Sequence, residues 1–68
     1  MFEIRDQNGR LVCIVDESSG YVEALYRKQT VSTYLPVGSS IRIERQGAVT
    51  TVIRDTEATF KVERHTAA

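Results

Sequence analysis

Glycine-marked turns punctuate this chain at a pitch of roughly ten residues, and that constrains its fold more than anything else in it. Asn8-Gly9, Ser18-Ser19-Gly20, Pro36-Val37-Gly38 and Gln46-Gly47 separate short runs in which apolar and polar residues alternate. Alternation of period two is the mark of half-buried strands. Six or seven such strands fit into 68 residues. The predicted fold is all-β: a small antiparallel barrel or a curled two-layer sheet. The domain is expected to span residues 1–64, with 65–68 as a frayed tail.

Local chemistry predicts the pairing. Phe2-Glu3-Ile4-Arg5 alternates, and Asn8-Gly9 is a strong signal for a two-residue hairpin turn. That turn would set Gln7 opposite Arg10, Ile4 opposite Cys13 and Phe2 opposite Val15. A four-residue loop after Asp16 would then place Val22 opposite Val15, Ala24 opposite Cys13 and Leu25 opposite Val12. The segment Tyr21 to Lys28 is read as a strand. The alternative is one short helix in an α+β fold, because Glu23, Ala24, Leu25, Arg27 and Lys28 are good helix formers and Glu23 and Arg27 stand four apart. Val31 to Leu35 is β-rich, and Leu35-Pro36-Val37-Gly38 suits a turn with proline second and glycine last.

Further along, a three-residue Arg45-Gln46-Gly47 loop with glycine in the left-handed position predicts Ile43 opposite Val49 and Ile41 opposite Thr51. The alternative two-residue Gln46-Gly47 loop would pair Ile43 with Thr50 and expose Val49 and Ile53, so burial favours the longer loop. A four-residue Asp55 to Ala58 loop continues that arrangement, with Ile53 opposite Phe60 and Thr51 opposite Val62. Gly38-Ser39-Ser40-Ile41-Arg42-Ile43 followed by Gly47 resembles a glycine turn leading into a strand of an SH3-like barrel. Many β domains share that arrangement, and it implies no function.

The inventory of reactive groups is thin. Cys13 is the only cysteine, set in the apolar run Leu-Val-Cys-Ile-Val, and reads as a small core residue without a disulfide partner. Asp6-Gln7-Asn8-Gly9 has a superficial likeness to a calcium loop, with Glu17 twelve positions along. However, Arg10 occupies a ligand position and the glycine is misplaced, so a hairpin turn is the expectation. Asp16 and Glu17 are neighbours in a turn rather than carboxyls converging across a cleft. His65, the only histidine, has no cysteine near it. No catalytic residue, metal ligand, cofactor or small-molecule substrate is therefore predicted. With no leader pattern and no long apolar run, a soluble cytoplasmic protein is expected.

Two surfaces stand out. The predicted registers leave Val12, Ile14 and Leu25 opposite the core, with Tyr21 nearby. Apolar residues on both sides of a strand mean that something covers the second side. Either the segment Val31 to Leu35 or the Pro36 loop folds over it, or a partner does. The main reading is association with protein, chiefly a homodimer. The other surface is a basic track of Arg42, Arg54 and Lys61, which would suit nucleic acid and supports a second reading as a nucleic-acid-binding barrel. Nine Lys plus Arg balance nine Asp plus Glu, so net charge adds no general attraction to nucleic acid or membrane.

Overall fold

The computed structural model describes every residue except Arg27 and Ala68, with Tyr26 described by its backbone alone. The chain forms seven strands and no helix among the described residues: β1 (Phe2–Arg5), β2 (Leu11–Asp16), β3 (Tyr21–Tyr26), β4 (Gln29–Tyr34), β5 (Ser40–Arg45), β6 (Ala48–Thr56) and β7 (Thr59–Thr66). They pair as two antiparallel meanders, β1-β2-β3-β4 and β5-β6-β7. The fold is thus the two-layer form of the expected all-β domain, and not a closed barrel. The helical alternative for Tyr21 to Lys28 is ruled out over Tyr21–Tyr26, which is strand; Arg27 lies outside the described residues.

The first sheet carries the expected inner row. Phe2 faces Val15, Ile4 faces Cys13, Val15 faces Val22, and Cys13 faces Ala24. The hairpin turn differs from expectation. Asp6 N donates to the Arg10 carbonyl and Gly9 N to the Asp6 carbonyl, which leaves three residues in the loop. The buried Asp6 carboxylate holds that loop by accepting from Asn8 N (2.9 Å) and Arg10 N (3.0 Å) through Oδ1. The extra loop residue is absorbed by a bulge, since Arg5 pairs with Leu11 while Ile4 pairs with Cys13. Val12 is the unpaired residue. Its side chain therefore does not alternate outward; it is buried in the core beside Cys13. This corrects the placement of Val12 on the outer face.

The second sheet overturns the predicted register. Ile41 pairs with Val52, Ile43 with Thr50 and Arg45 with Ala48. The loop is the two-residue Gln46-Gly47 turn, with φ of 50° and 80°, so Gln46 itself takes the left-handed conformation. Across β6 and β7, Val52 pairs with Val62, Ile53 with Lys61 and Arg54 with Phe60. The strand β6 is turned over relative to expectation, while β5 and β7 keep their faces. His65 and Thr66, assigned to the tail on sequence, are paired with Val49 and Ala48, and Ala67 N donates to the Gly47 carbonyl.

The core lies between the sheets. Ile4, Val12, Cys13, Val15, Val22 and Leu35 meet Val52, with Ala24, Ile41, Ile43, Phe60 and Val62 packed around them. Burial pushes the Cys13 thiol up to about 11, consistent with a protonated core side chain. Thr50 is fully buried on the same inner face, and its hydroxyl oxygen has no hydrogen-bond partner among the described residues. A buried, unpaired hydroxyl carries a desolvation cost that a methyl group of the same shape does not. Thr50→Val is thus expected to stabilise the fold by about 1 kcal/mol. A rise in Tm of several degrees by thermal denaturation is the check; a fall would mean that the hydroxyl is satisfied.

Candidate protein interface

The two sheets have four edge strands, and three are protected by charge. β1 carries Glu3 and Arg5, which form a salt bridge at 3.0 Å, and Arg64 Nε donates to the Arg5 carbonyl, tying this edge to β7. β5 carries Arg42, Glu44 and Arg45, and β7 carries Lys61, Glu63 and Arg64. Charges and irregular pairing are the usual means by which a sheet edge avoids joining a neighbour.

β4 has none of these. Its sequence Gln-Thr-Val-Ser-Thr-Tyr is uncharged, all six residues are exposed, and it pairs with β3 through six consecutive residues without a bulge. Val31 is 59% exposed and Tyr34 66% exposed. Val31 lies on the core side of the sheet, opposite Ala24, yet the three-stranded second sheet does not extend over it.

The backbone polarity of β4 follows from the register. Tyr26 pairs with Gln29 across a two-residue gap, Val22 pairs with Thr33, and Leu35 N donates to the Gly20 carbonyl at 2.9 Å. In an antiparallel pair the hydrogen-bonded residues alternate. Gln29, Val31, Thr33 and Leu35 therefore turn their backbone groups toward β3, while Thr30, Ser32 and Tyr34 turn theirs away from the sheet. The side chains of Thr30, Ser32 and Tyr34 lie on the outer face, in rows with Leu25, Glu23 and Tyr21.

That outer face contains three of the four apolar residues picked out by sequence. Ile14, Tyr21 and Leu25 are half-buried on it, whereas Val12 is in the core. The Tyr21 ring packs against Tyr34 with centroids 5.3 Å apart and planes inclined by 59°. Tyr21 Oη donates to Glu23 Oε2 at 2.7 Å, and this bond holds the phenolic proton and pushes its pKa up. Neither the Val31 to Leu35 segment nor the Pro36 loop folds back over this face: β4 continues the sheet, and Leu35 turns into the core.

The proposed basic track is divided. Arg42 and Lys61 stand on the outer face of the second sheet with Thr51 and Ile53, and each has a carboxylate two residues along its own strand: Arg42 to Glu44 at 3.5 Å and Lys61 to Glu63 at 4.0 Å. Arg54 points to the opposite, inner face. Its guanidinium donates to the Leu35 carbonyl at 2.9 Å and the Glu57 carbonyl at 3.2 Å, closing one end of the core. Turning β6 over separates the three cations.

Nor do the acidic residues and the histidine converge. Asp16 Oδ1 accepts from Ser18 N and Ser18 Oγ in the β2–β3 turn, at the Gly20 end of the molecule, and these bonds lower its pKa. His65 lies at the other end, opposite Val49 and next to the Gly47 turn. Among the described residues no three His, Cys, Asp or Glu side chains are grouped so as to hold a metal, and no helix is long and apolar enough to cross a membrane.

The edge strand was missed by sequence reasoning, although a signal was present. Residues 29–41 carry no charge in a chain that is 26% charged overall. Compared with family models, with curated protein sequences and with solved structures, the chain matches none.

Proposed function

We propose that this chain is a non-catalytic β domain of the cytoplasm that works by associating with protein, through the β4 edge and the adjoining outer face of the first sheet. The observation that carries this reading is the character of β4: exposed along its whole length, uncharged and regular, beside three edges guarded by charge. Strand addition to such an edge draws affinity from backbone hydrogen bonds and selectivity from alternate side chains. Tyr21, Tyr34 and Leu25 provide aromatic and aliphatic contacts on the outer side, and Val31 on the inner side. Nucleic-acid binding has lost its motivating geometry, since Arg54 faces the core and Arg42 and Lys61 are paired with carboxylates.

A photo-crosslinking amino acid at position 34, in cells that produce the protein, tests this reading. Adducts should form there, should be lost on adding Ser32→Lys, and should be far weaker with the same probe at position 63 on the outer face of the second sheet. Equal yields at the two positions, or none at position 34, would overturn it.

A further inference from the structure

We infer that the strand received by β4 is the β4 of a second copy of this chain, paired antiparallel about a two-fold axis through Ser32. This rests on the association reading above and specifies its partner.

The register follows from which backbone groups are free. Only Thr30, Ser32 and Tyr34 direct their N–H and C=O groups outward, because Leu35 N and the residues in phase with it bond to β3. Two antiparallel copies engage all three when Thr30 lies opposite the partner's Tyr34 and Ser32 opposite the partner's Ser32. Each such pair exchanges two bonds, about six in total. Sliding by two residues one way sets Tyr34 against Lys28, whose φ of 65° turns it out of the strand. Sliding the other way sets Thr30 against Pro36, which has no N–H to give. The strand is thus bounded on both sides for this one alignment.

Side chains agree with that alignment. On the outer face it aligns Leu25 and Thr30 of one copy with the partner's Tyr34 and the partner's Tyr21 in one continuous row, which takes in the exposed Tyr34 ring. On the inner face Val31 meets the partner's Thr33, which lengthens the core row of Val22 and Ala24. Self-pairing opposes no like charges, since β4 has none. A two-fold contact also closes on itself: it consumes the unguarded edge of both copies and leaves only charged edges outside. The assembly should stop at a dimer with an eight-stranded sheet.

Sedimentation equilibrium of the purified chain from micromolar to millimolar concentration tests this, together with amide hydrogen exchange. The mass should rise from 7.7 kDa toward twice that value. The amides of Thr30, Ser32 and Tyr34 should gain protection in step with the dimer. Ser32→Pro removes the outward donor at the two-fold axis while sparing every bond to β3, a position where an edge strand accepts proline. It should give a folded monomer. Should that variant fail to fold, Ser32→Glu decides, because it opposes two carboxylates across the axis with Glu23 beside each in the same row, and should raise the dimer Kd several-fold. A wild-type chain that stays monomeric at millimolar concentration overturns self-pairing, as does a dimer whose Kd is unchanged by Ser32→Glu. A monomer that still forms adducts with another protein at position 34 removes only the identity of the partner. A monomer without adducts removes the association reading as well.

Discussion

Gly20→Ala is expected to cost about 2–5 kcal/mol, far more than the same change at Gly9 or Gly38, although all three glycines have nearly the same φ. At Gly9 and Gly38 a Cβ would meet nothing within 4 Å, so only the left-handed backbone penalty of about 1–2 kcal/mol applies. At Gly20, whose φ is +79°, a Cβ would lie 2.7 Å from the Leu35 carbonyl oxygen and 2.4 Å from the Arg54 guanidinium. The arginine could move, but the carbonyl is backbone. It is fixed because Leu35 N donates to the Gly20 carbonyl and the Leu35 side chain is buried. Moving it would also break the Arg54 bond that joins the two sheets at this end. A domain of this size loses about 4–8 °C in Tm per kcal/mol, so thermal denaturation of the three alanine variants gives a clear ranking. If Gly20→Ala melted with Gly9→Ala, the close approach of the β2–β3 turn to Leu35 would be refuted.

Val52→Asp should abolish folding, whereas Ile53→Asp should cost about 1 kcal/mol and leave a cooperative fold. The two residues are neighbours on β6 and lie on opposite faces. Val52 is fully buried among Ile41, Val62 and the first sheet. The one inner-face cation near it on β6, Arg54, is held by the Leu35 and Glu57 carbonyls at the end of the core, and burying an unpaired charge costs several kcal/mol, comparable to the whole stability of a small domain. Ile53 is half-buried on the outer face between Ser40 and Lys61, where a carboxylate stays in water beside an ammonium group. Circular dichroism melts of both variants settle the register: the predicted three-residue loop at Gln46 requires the opposite order.

The first three strands were legible because their signals are short-range and agree. The alternation of Phe2 to Arg5, the four-residue loop to Gly20 and the apolar positions Val15 and Val22 lead to one inner row, and that row is present. β6 was illegible for a physical reason. Ala48, Thr50 and Val52 on one face, and Val49, Thr51 and Ile53 on the other, are equally able to be buried, so alternation does not choose between them. As the central strand it has buried residues on both faces: Thr50 and Val52 on the inner one, and Val49 on the outer one between Glu44 and His65. Two hairpins that supported each other in the sequence reading shared that strand, and turning it over shifts both by one residue in the same direction. The two-residue loop also needs a positive φ at Gln46 as well as at Gly47, and Gln46 adopts it.

The candidate site shows the same division. Ile14, Tyr21 and Leu25 were found on the outer face because their strands are regular there, and Val12 was misplaced because a bulge, not alternation, decides where it points. Turn positions, strand number and the pairing of β1 to β3 depend on backbone conformations and side-chain periods a few residues long, and the sequence by itself determined them. The face β6 presents, the separation of Arg54 from Arg42 and Lys61, and the exposure of β4 depend on how far one sheet extends over the other. Those were decided only in the tertiary structure, because a strand carries the same local signals whether it ends a sheet in water or continues one under cover.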